Sequence, residues 1–496
     1  MLQIEAAALR DAVIPWPRLR PASGLLALLV LSNLGSFAVR AGFGSGRPLI
    51  NLDFLIIPAI CAVLGLRTGA LAYVILVLID LLVFLAPVFH FDALQALALA
   101  RYAGSLNLTA PHLPLGLLAL AGLVIACGVL TISCSFRRVR LVHAACALFL
   151  GVVLVAVDVF GNTGGWQQWH RHDQPDLMRL PMNIATSGIY SIARDTQLYW
   201  EGRKVGPWKS VPSATRMALG VPGTSFRHAS VQGRNFALII VESWGQRVDP
   251  LEADRLVQPL WLPEVLRAYE VRQGTVPFEG STTAAELREN CGVTYQFQWV
   301  LGGQKRTECL PAALEAQGFD VLGIHGFFGS FFDRTRWWPN IGITHSAFLE
   351  SLQSESLPLC GHLFRGICDE RLIEKAGGEL AKPGRHAVYL LTLNSHLPLS
   401  PERQDFEAAR AQRDSNPALV VYSRQLRAVF QALARQAARQ DVRDTHFVIV
   451  GDHSPPFVDY DAARLFRQDV VPYIELRPRT HSGSRSVGSI SETARN

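Results

Sequence analysis

The stretch FVIVGDH at 447–453 is the strongest indication of how this chain folds. In it, four apolar residues and a glycine are followed by Asp and His, two residue types that commonly bind metals. The run ALIIV at 237–241 ends in Glu242 in the same way. Short apolar runs of this kind are typical of buried strands. Since ligands gather at the carboxyl ends of strands in a parallel sheet, we predict that Glu242, Asp452 and His453 lie together. Their oxygen and nitrogen donors suit a divalent metal such as zinc or manganese.

The rest of the C-terminal half alternates strand patterns with helix patterns. Apolar runs predict strands at 236–241, 319–324, 387–393 and 446–450. The clearest helix pattern covers 419–440, where apolar residues recur at helical spacing. Buried strands that alternate with helices predict an α/β sandwich with a largely parallel sheet. His325 and residues 394–396 also follow predicted strands, so we place them at the same edge.

The composition indicates two unlike halves. The chain has 496 residues, of which 49% are hydrophobic and 18% charged, and its mean hydropathy is +0.20. It is too apolar for a single soluble enzyme and too charged in its second half for a pure transporter. The net charge of +6 comes without a Lys/Arg block that carries interleaved aromatic residues. We therefore exclude nucleic acid as a partner and assign the basic excess to membrane flanks and anionic substrates.

The apolar character is concentrated before residue 161. We predict about five membrane spans, each near the roughly 20 residues that a bilayer requires. They lie at 22–39, 49–66, 69–88, 114–133 and 141–160. The first span follows a polar lead and has no small-residue cleavage site after it, so we interpret it as an anchor rather than a signal peptide.

The placement of Lys and Arg predicts the orientation of these spans. Arg18, Arg20, Arg67 and the basic residues at 137–140 fall on one side of the membrane, which the positive-inside rule makes the cytoplasm. With an odd number of spans, everything after the fifth lies outside. We therefore predict a multi-pass membrane protein whose C-terminal half is extracytoplasmic. Asp80 falls inside a predicted span. We explain it by a position near the membrane interface or by an internal hydrogen bond, rather than by a role in transport.

The predicted organisation has four parts. They are a transmembrane domain at 1–160, a juxtamembrane linker at 161–230, an extracytoplasmic catalytic domain at 231–476 and a disordered tail at 477–496. The linker is rich in Gly, Trp, Pro and Arg, and we expect it to lay the enzyme on the bilayer. The tail is rich in Ser, Thr and Arg and shows no periodicity.

The cysteines agree with this topology. Four of them lie in or beside apolar spans, where Cys is usually a small hydrophobic residue: Cys61, Cys127, Cys134 and Cys146. The other four lie in the C-terminal half, and an even number in an oxidising compartment favours two disulfides. The short spacings favour Cys291–Cys309 and Cys360–Cys368 among the three possible pairings. A zinc ribbon is the alternative, and the absence of a C-x-x-C pair speaks against it.

The segment GSTTAAELR at 280–288 supplies the candidate nucleophile, since its hydroxyls precede a helix-like stretch. A hydroxyl at a helix N-terminus on a metal is activated twice. The cation lowers the pKa of the hydroxyl, and the free backbone N–H groups stabilise an incoming anion. This combination suits phosphoryl transfer. The alternative is that Thr282 and Thr283 only cap the helix.

Five motifs follow one another through the C-terminal half, and they are VESWG at 241–245, GSTTAAEL at 280–287, HGFFGSFFDR at 325–334, NSHLP at 394–398 and VGDH at 450–453. Their order and spacing resemble the lipoteichoic acid synthase and phosphoglycerol transferase branch of the alkaline phosphatase and sulfatase superfamily. The resemblance implies an N-terminal helical membrane domain joined to an alkaline phosphatase-like α/β domain. It implies a place in the bacterial inner (cytoplasmic) membrane, with the catalytic domain in the periplasm. It also implies one divalent metal ion, Mn or Zn, held by Glu242, Thr282, Asp452 and His453.

The resemblance further implies roles for single residues. Thr282 matches the nucleophile of the family motif G-x-T-x-x-x-E and would form a phosphothreonine intermediate. Positions that hold the phosphate and the head group are matched by His325, Phe332, Arg334 and His396. Arginine is chemically suited to this task, because a guanidinium grips phosphate oxygens with two parallel hydrogen bonds.

The implied reaction is transfer of a phosphoglycerol-type head group from a phospholipid in the outer leaflet to an envelope glycan acceptor, with ping-pong kinetics. Two departures leave alternatives open: Phe332 replaces the family's Trp, and Asp333 replaces its Asn. Asp333 suits a cationic head group such as ethanolamine, although the E-T-A-R and S-H-G-P motifs of phosphoethanolamine transferases are missing. A membrane-tethered phosphatase or sulfatase-like hydrolase is the third reading, and no C/S-x-P-x-R signature stands near residue 280.

Overall fold

A seven-stranded sheet organises the C-terminal half of the protein. The computed structural model describes residues 21–43, 50–88, 100–105, 107, 113–137, 141–161, 185–190, 192–193, 196–197, 209–223, 225–294, 305–399, 401–411, 416–457 and 460–479. The strands of the sheet are β1 (Asn235–Val241), β2 (Tyr269–Pro277), β3 (Asp320–His325), β4 (His345–Ala347), β5 (His386–Leu391), β6 (Thr445–Gly451) and β7 (Val470–Pro478).

The sheet is mostly parallel, as predicted. Its strand order is β2-β7-β6-β1-β5-β3-β4. The run from β6 to β4 is parallel, and β7 and β2 are added antiparallel at one edge. In the register of the central strands, Val241 pairs with Gly451 and Leu391 pairs with His325. The carboxyl ends of β1, β3, β5 and β6 therefore meet at one edge of the sheet.

Helices flank the sheet and fill the N-terminal half. The helices before the sheet are α1 (Pro21–Phe43), α2 (Ile57–Leu64), α3 (Leu66–Val88), α4 (Leu113–Ser135), α5 (Leu141–Gly161) and α6 (Ala214–Ala218). Those of the catalytic half are α7 (Pro250–Val257), α8 (Pro263–Ala268), α9 (Thr282–Cys291), α10 (Leu310–Ala316), α11 (Arg334–Trp337), α12 (Leu349–Leu352), α13 (Asp369–Leu380), α14 (Arg403–Ala411), α15 (Pro417–Ala437) and α16 (Tyr460–Ala463).

The side chains of β1 alternate between two hydrophobic cores, because successive residues of a strand point to opposite faces. Ile239 belongs to the core beneath α13 and α15, while Leu238 and Ile240 belong to the core beneath α9 and α10. All seven residues of β1 are buried. Burial on both faces explains why this strand is uniformly apolar, and it confirms the predicted α/β sandwich.

The N-terminal half contains a packed helical group. Leu28, Phe54, Tyr73 and Ile132 form a buried cluster that joins α1, α3 and α4. Among the described residues, one helical stretch, Leu66–Val83, is long and apolar enough to cross a membrane, and shorter apolar helical stretches accompany it. The described structure therefore does not confirm the predicted five spans. In the predicted span 49–66, a 3₁₀ segment of 5 residues and α2 with 8 residues fall short of the roughly 20 that a bilayer requires.

Asp80 takes part in an internal hydrogen-bond network, as one of the two readings expected. The side-chain amide of Asn51 donates to Oδ1 of Asp80 at 2.7 Å, and the backbone N–H of Asn51 donates to Oδ1 of Asn33 at 2.8 Å. Asp53 extends the network to the segment after α5, because Ser187 Oγ donates to Asp53 Oδ1 at 2.5 Å. Buried polar groups with partners of this kind stabilise one packing arrangement.

The catalytic half extends beyond its predicted boundaries. Helix α6 lies in the predicted linker, yet Ala214 and Ala218 are buried in the core beneath α9 and α10. Strand β7 continues to Pro478, so the first two residues of the predicted tail are strand. Residues 480–496 of that tail, and most of the linker, lie outside the described residues.

Both predicted disulfides are present. Cys291 at the end of α9 is bonded to Cys309 just before α10, and Cys360 is bonded to Cys368 just before α13. The first bond joins the end of the helix that carries Thr282 to the next helix. The cysteines predicted to lie in or beside spans are free thiols: Cys61, Cys127, Cys134 and Cys146.

Candidate active site

Strand β1 delivers Glu242 to the carboxyl edge of the sheet. The Glu242 side chain is 2% exposed, and its backbone N–H donates to Oγ1 of Thr392, which follows β5. Ser243 adopts a left-handed backbone with φ of 56°, an unfavourable conformation for a residue with a Cβ atom. In this conformation its N–H donates to Asp452 Oδ1 at 2.7 Å and its hydroxyl donates to Glu242 Oε1 at 2.8 Å. The turn therefore fixes two carboxylates at once.

Strand β6 delivers Asp452 and His453 beside Glu242. The Nδ1 of His453 lies 2.9 Å from the carbonyl oxygen of Ser454, which only accepts hydrogen bonds, so Nδ1 carries the proton. The unprotonated Nε2 lies 3.3 Å from Asp452 Oδ2 and 3.6 Å from Glu242 Oε1. Donor atoms of these three residues all lie within 4.8 Å of one another.

Thr282 is the first residue of α9, and its hydroxyl faces this cluster. Its Oγ1 donates to Glu242 Oε2 at 3.3 Å and lies 3.4 Å from Nε2 of His453. The N-cap position belongs to Ser281, whose side chain makes no capping hydrogen bond to α9. Gly280 has φ of 72°, a backbone that favours glycine and turns the chain into the helix. The structure thus assembles the four residues implied as metal ligands, and Thr282 is not the cap of its helix.

A divalent cation fits this donor set. Oδ2 of Asp452 is buried and accepts no hydrogen bond from any described residue. The carboxylates of Glu242 and Asp452 lie close to the Nε2 lone pair of His453. The hydrogen bond from His453 Nδ1 to Ser454 fixes the histidine tautomer, as is usual for metal-bound histidines. An uncompensated group of this kind is costly to bury, and a bound cation removes that cost.

The electrostatics of the cluster agree with this fit. Burial, followed by repulsion from Asp452, raises the pKa of Glu242 well above its ordinary value. Burial likewise raises the pKa of Asp452. Burial, with a smaller contribution from Arg288, lowers the pKa of His453 to about 4, so this imidazole is neutral near pH 7. Acids that resist ionisation alone ionise readily beside a cation, and a neutral imidazole is the form that binds metal.

Arg288 fastens the helix of Thr282 to the strand end of Asp452. Its guanidinium donates to the carbonyl oxygens of Gly451 at 2.7 Å and Asp452 at 3.2 Å, and to Glu289 Oε1 at 2.6 Å. Glu289 in turn accepts two hydrogen bonds from Thr215 of α6. Arg288 is 4% exposed and Glu289 fully buried. The sequence pattern gave these two residues no role, although they continue the motif that contains Thr282.

Arg334 is held by a buried carboxylate. Its Nε and Nη2 atoms donate to Glu286 Oε1 at 2.9 and 2.7 Å, and the indole of Trp338 donates to Glu286 Oε2 at 2.9 Å. Arg334 is 2% exposed and Glu286 fully buried. Glu286 is the glutamate that closes the motif G-x-T-x-x-x-E, so this motif also contains the partner of the arginine predicted to hold phosphate.

The residues before Arg334 have an unusual backbone. Phe332 and Asp333 both adopt left-handed conformations, with φ of 58° and 50°. The Arg334 guanidinium lies over the Phe332 ring, 5.2 Å from its centre, and Trp337 Nε1 donates to the Phe332 carbonyl at 3.1 Å. Strained conformations of this kind persist where the surrounding structure holds them, and they cluster at functional sites.

His325 and His396 occupy the same edge of the sheet. His325 ends β3, and its Nδ1 donates to the carbonyl of Leu391 at 3.1 Å. Burial first, and then the Arg334 guanidinium, lower the pKa of His325 well below its ordinary value. Burial lowers the pKa of His396 to about 4, with a smaller effect of His453. Both histidines are therefore neutral near pH 7.

Asn394 and Asp369 form a further polar pair at this edge. Asp369 accepts hydrogen bonds from the backbone N–H groups of Leu393 and Asn394 at 2.9 and 2.8 Å, while Oδ1 of Asn394 accepts from Asp369 N–H at 2.7 Å. Burial raises the pKa of Asp369 to about 7. Nδ2 of Asn394 is buried and makes no hydrogen bond with a described residue. The sequence located Asn394 at a strand end and gave no signal for Asp369.

With the geometry established, comparison with known proteins gives one family. Residues 266–475 match the model of the Sulfatase family. This range includes Thr282, Asp452 and His453, and Glu242 precedes it. No curated protein matches the chain.

Solved structures with a similar arrangement include the following three. The lipoteichoic acid synthase LtaP of Listeria monocytogenes is 15% identical, with a TM-score of 0.37 and coverage of 56% of this chain and 71% of that one. The phosphoglycerol transferase GacH of Streptococcus pyogenes, in complex with sn-glycerol-1-phosphate, is 13% identical, with a TM-score of 0.37 and coverage of 57% and 74%. The C-terminal periplasmic domain of EptC from Escherichia coli is 12% identical, with a TM-score of 0.32 and coverage of 50% and 74%.

The family match and the fold define the class of the C-terminal half. Residues 266–475 form a sulfatase-like enzyme domain. The recognition made from the five motifs is thereby confirmed at the level of the superfamily. The structural similarities, at these identities and TM-scores, add nothing about the substrate of this chain.

Proposed function

We propose that this protein transfers a phosphoglycerol-type head group from a phospholipid to a glycan acceptor of the cell envelope. The observation that carries the proposal is the position of the Thr282 hydroxyl, 3.3 Å from Glu242 and 3.4 Å from His453 at the N-terminus of α9. A hydroxyl placed among metal ligands and at a helix N-terminus is an activated nucleophile for phosphate.

The metal site consists of Glu242, Thr282, Asp452 and His453, and it takes one divalent ion, Mn or Zn. When bound, the ion lowers the pKa of the Thr282 hydroxyl and neutralises charge on the transferring phosphate. The chain itself contributes orientation. Ser243 donates a hydrogen bond to the Asp452 carboxylate, and Arg288 donates one to the Asp452 carbonyl oxygen. These two residues therefore hold the carboxylate and the strand end in place.

In the first half-reaction, Oγ1 of Thr282 attacks the phosphorus of the donor. The new Thr282–phosphorus bond forms as the bond to the diacylglycerol oxygen breaks, and that oxygen receives the proton that Thr282 loses. Diacylglycerol remains in the bilayer. The backbone N–H groups at the N-terminus of α9 that have no partner within the helix would stabilise the negative charge of the phosphate.

In the second half-reaction, an acceptor hydroxyl attacks the phosphothreonine and regenerates the Thr282 hydroxyl. The Thr282–phosphorus bond breaks as the bond to the acceptor oxygen forms, and the proton of the acceptor passes through the neutral imidazole of His396 to Oγ1 of Thr282. Arg334 and His325 orient the phosphate. Because donor and acceptor react in separate steps through one covalent intermediate, the kinetics are ping-pong.

The proposal includes a membrane location. The apolar N-terminal half anchors the chain in the inner membrane, and the catalytic half faces the periplasm. Two disulfides in the catalytic half support an oxidising compartment. The solvent-facing leucine, valine and phenylalanine side chains of α1, α3, α4 and α5 support contact with lipid.

Transfer of phosphoethanolamine is the second candidate. The observation that favours it is the carboxylate of Asp333, which stands directly between Phe332 and Arg334 in the chain. A negative charge at the head-group position attracts an ammonium group and gives glycerol no comparable advantage.

Head-group-labelled vesicles separate these candidates. The full-length protein in detergent is mixed with vesicles of phosphatidylglycerol or of phosphatidylethanolamine, with Mn or Zn added, and diacylglycerol is measured. We expect diacylglycerol from phosphatidylglycerol and little from phosphatidylethanolamine. The reverse preference supports the second candidate, and hydrolysis of an aryl sulfate without diacylglycerol from either lipid would overturn both.

A further inference from the structure

A segment of the apolar half packs against the substrate side of the candidate active site. The 3₁₀ segment Ala100–Ser105 lies between α3 and α4. Its Tyr102 is 7% exposed and belongs to a buried aromatic cluster with Phe327, Phe331 and Phe332. The ring of Tyr102 lies 5.4 Å from that of Phe331 and 6.2 Å from that of Phe332.

Asn107, two residues after this segment, holds a second loop of the catalytic half. Asn107 donates from its backbone N–H to the carbonyl of Leu363 at 2.9 Å and from its side-chain amide to the carbonyl of His362 at 3.2 Å. The next residue, Phe364, stacks on the His396 ring with centres 4.0 Å apart. Phe364 also contacts Phe331, at 5.9 Å. Tyr102 and Asn107 thus reach both loops that flank the phosphate-holding residues.

These contacts bear on the strained turn before Arg334. Phe332 and Asp333 keep left-handed conformations, and such conformations persist only when the surroundings fix them. Tyr102 supports the Phe332 ring from one side, and the Arg334 guanidinium lies over the same ring. Removal of Tyr102 leaves a gap beside this turn and takes support away from the Phe332 ring, over which Arg334 lies.

We propose that the segment Ala100–Ser105 and Asn107 form a positioning element through which the apolar half sets the donor site, with Tyr102 and Asn107 as its positioning residues. The inference rests on the proposed function, because the donor is taken to be a phospholipid. The cluster is closed packing rather than a cavity, so the segment acts by holding the Phe331–Phe332 turn and the 362–364 loop. Since the acyl chains of a lipid donor lie with the apolar half in the bilayer, we infer that this donor depends on the segment more than a donor in solution does.

The test compares two donors with one head group in the full-length protein. The donors are phosphatidylglycerol in vesicles and its deacylated form, glycerophosphoglycerol, in solution. For Tyr102→Ala we expect KM for the vesicle donor to rise about fivefold or more, with kcat within about twofold of the unmodified protein, since Thr282 and its ligands are untouched. For the deacylated donor we expect a smaller rise in KM.

Two variants keep the result interpretable. Tyr102→Phe keeps the ring and should restore the KM of the unmodified protein. Tyr190→Ala removes a tyrosine of the N-terminal half that is 40% exposed, and it should leave both constants unchanged. Asn107→Ala should raise KM in the same direction as Tyr102→Ala.

Other outcomes overturn the inference. An unchanged KM in Tyr102→Ala, or an equal fall in kcat with both donors together with a lower Tm, shows that the segment is only structural. Failure of the proposed function looks different, because then the unmodified protein releases no diacylglycerol from the vesicle donor and Thr282→Ala has no effect.

Discussion

Oγ1 of Thr282 lies 3.4 Å from Nε2 of His453, although 171 residues separate them in the chain. This proximity arises because β6 ends at Gly451 and α9 begins at Thr282, so that both residues lie at the same edge of the sheet. Arg288 then ties the helix to the end of the strand by a hydrogen bond to the Gly451 carbonyl oxygen. The tautomer of His453 leaves Nε2 facing the hydroxyl. A nucleophile, a metal ligand and the start of a helix therefore meet at one point of the sheet edge.

Metal binding should depend on Asp452. In Asp452→Asn we expect the content of Mn or Zn after dialysis to fall from about one ion per chain to about a tenth or less, because a neutral amide replaces a carboxylate that a cation neutralises. The metal should raise the Tm of the unmodified protein and leave the Tm of the variant unchanged, since a ligand of the folded state stabilises by mass action. Elemental analysis and thermal unfolding followed by tryptophan fluorescence measure both.

The matched control is Asp461→Asn, an exposed carboxylate that pairs with Arg464. It should keep full metal content. If Asp452→Asn retained the metal of the unmodified protein, the donor set proposed here would be wrong.

Arg288 should affect metal binding indirectly, through its hydrogen bond to the backbone of Asp452. In Arg288→Met we expect a loss of about 3–5 kcal/mol of stability, because Glu289 is left buried and uncompensated. We also expect metal affinity to fall by roughly 10–100-fold, as for residues that orient metal ligands. Arg255→Met removes an exposed arginine from an ion pair and should change neither. Metal affinity that survived in the Arg288→Met protein would limit this arginine to stability.

Arg334 and Glu286 should be energetically coupled. Arg334→Met alone leaves Glu286 as an unpaired buried charge and should destabilise the fold by about 3–5 kcal/mol. The double variant Arg334→Met/Glu286→Met removes both charges, and we expect it to be more stable than the single variant. Thermal unfolding of the four proteins of the cycle gives the coupling. Additive losses would mean that the two side chains do not depend on each other.

Glu475 should contribute an acid-sensitive part of the stability. Burial alone would raise its pKa, but hydrogen bonds from His446 at 2.8 Å and Arg477 at 2.9 Å lower the pKa of Glu475 below its ordinary value of 4.5. A carboxyl with a lowered folded-state pKa stabilises fully above its unfolded-state pKa, and this stabilisation is lost as the pH falls through the folded-state value.

Glu475→Gln should therefore have a lower Tm at pH 7 and a smaller fall in Tm between about pH 5 and pH 3 than the unmodified protein. Glu264→Gln, an exposed residue in an ion pair with Arg267, should keep the pH profile of the unmodified protein. If Tm fell equally between about pH 5 and pH 3 in Glu475→Gln and in the unmodified protein, the stabilising role of Glu475 with His446 and Arg477 would be contradicted.

The central strands could be predicted because they are buried on both faces and therefore apolar throughout, as β1 and β6 show. Strand β2 could not, since it lies at the edge of the sheet and most of its residues are at least partly exposed, so no apolar run marks it. The same logic separates the site residues. Glu242 and Asp452 are visible as polar residues at strand ends, whereas the partner of Arg334 and the contacts of Tyr102 depend on tertiary packing across distant segments.

The covalent state of Thr282 tests the central claim most directly. The full-length protein is incubated with phosphatidylglycerol vesicles and metal, quenched in acid, digested and analysed by mass spectrometry, with Thr283→Ala as the matched control and Thr282→Ala as the negative control. We expect the peptide that contains Thr282 to gain one glycerol phosphate in the unmodified and Thr283→Ala proteins. Diacylglycerol release without any adduct on Thr282, or an adduct that persists in Thr282→Ala, would contradict the account.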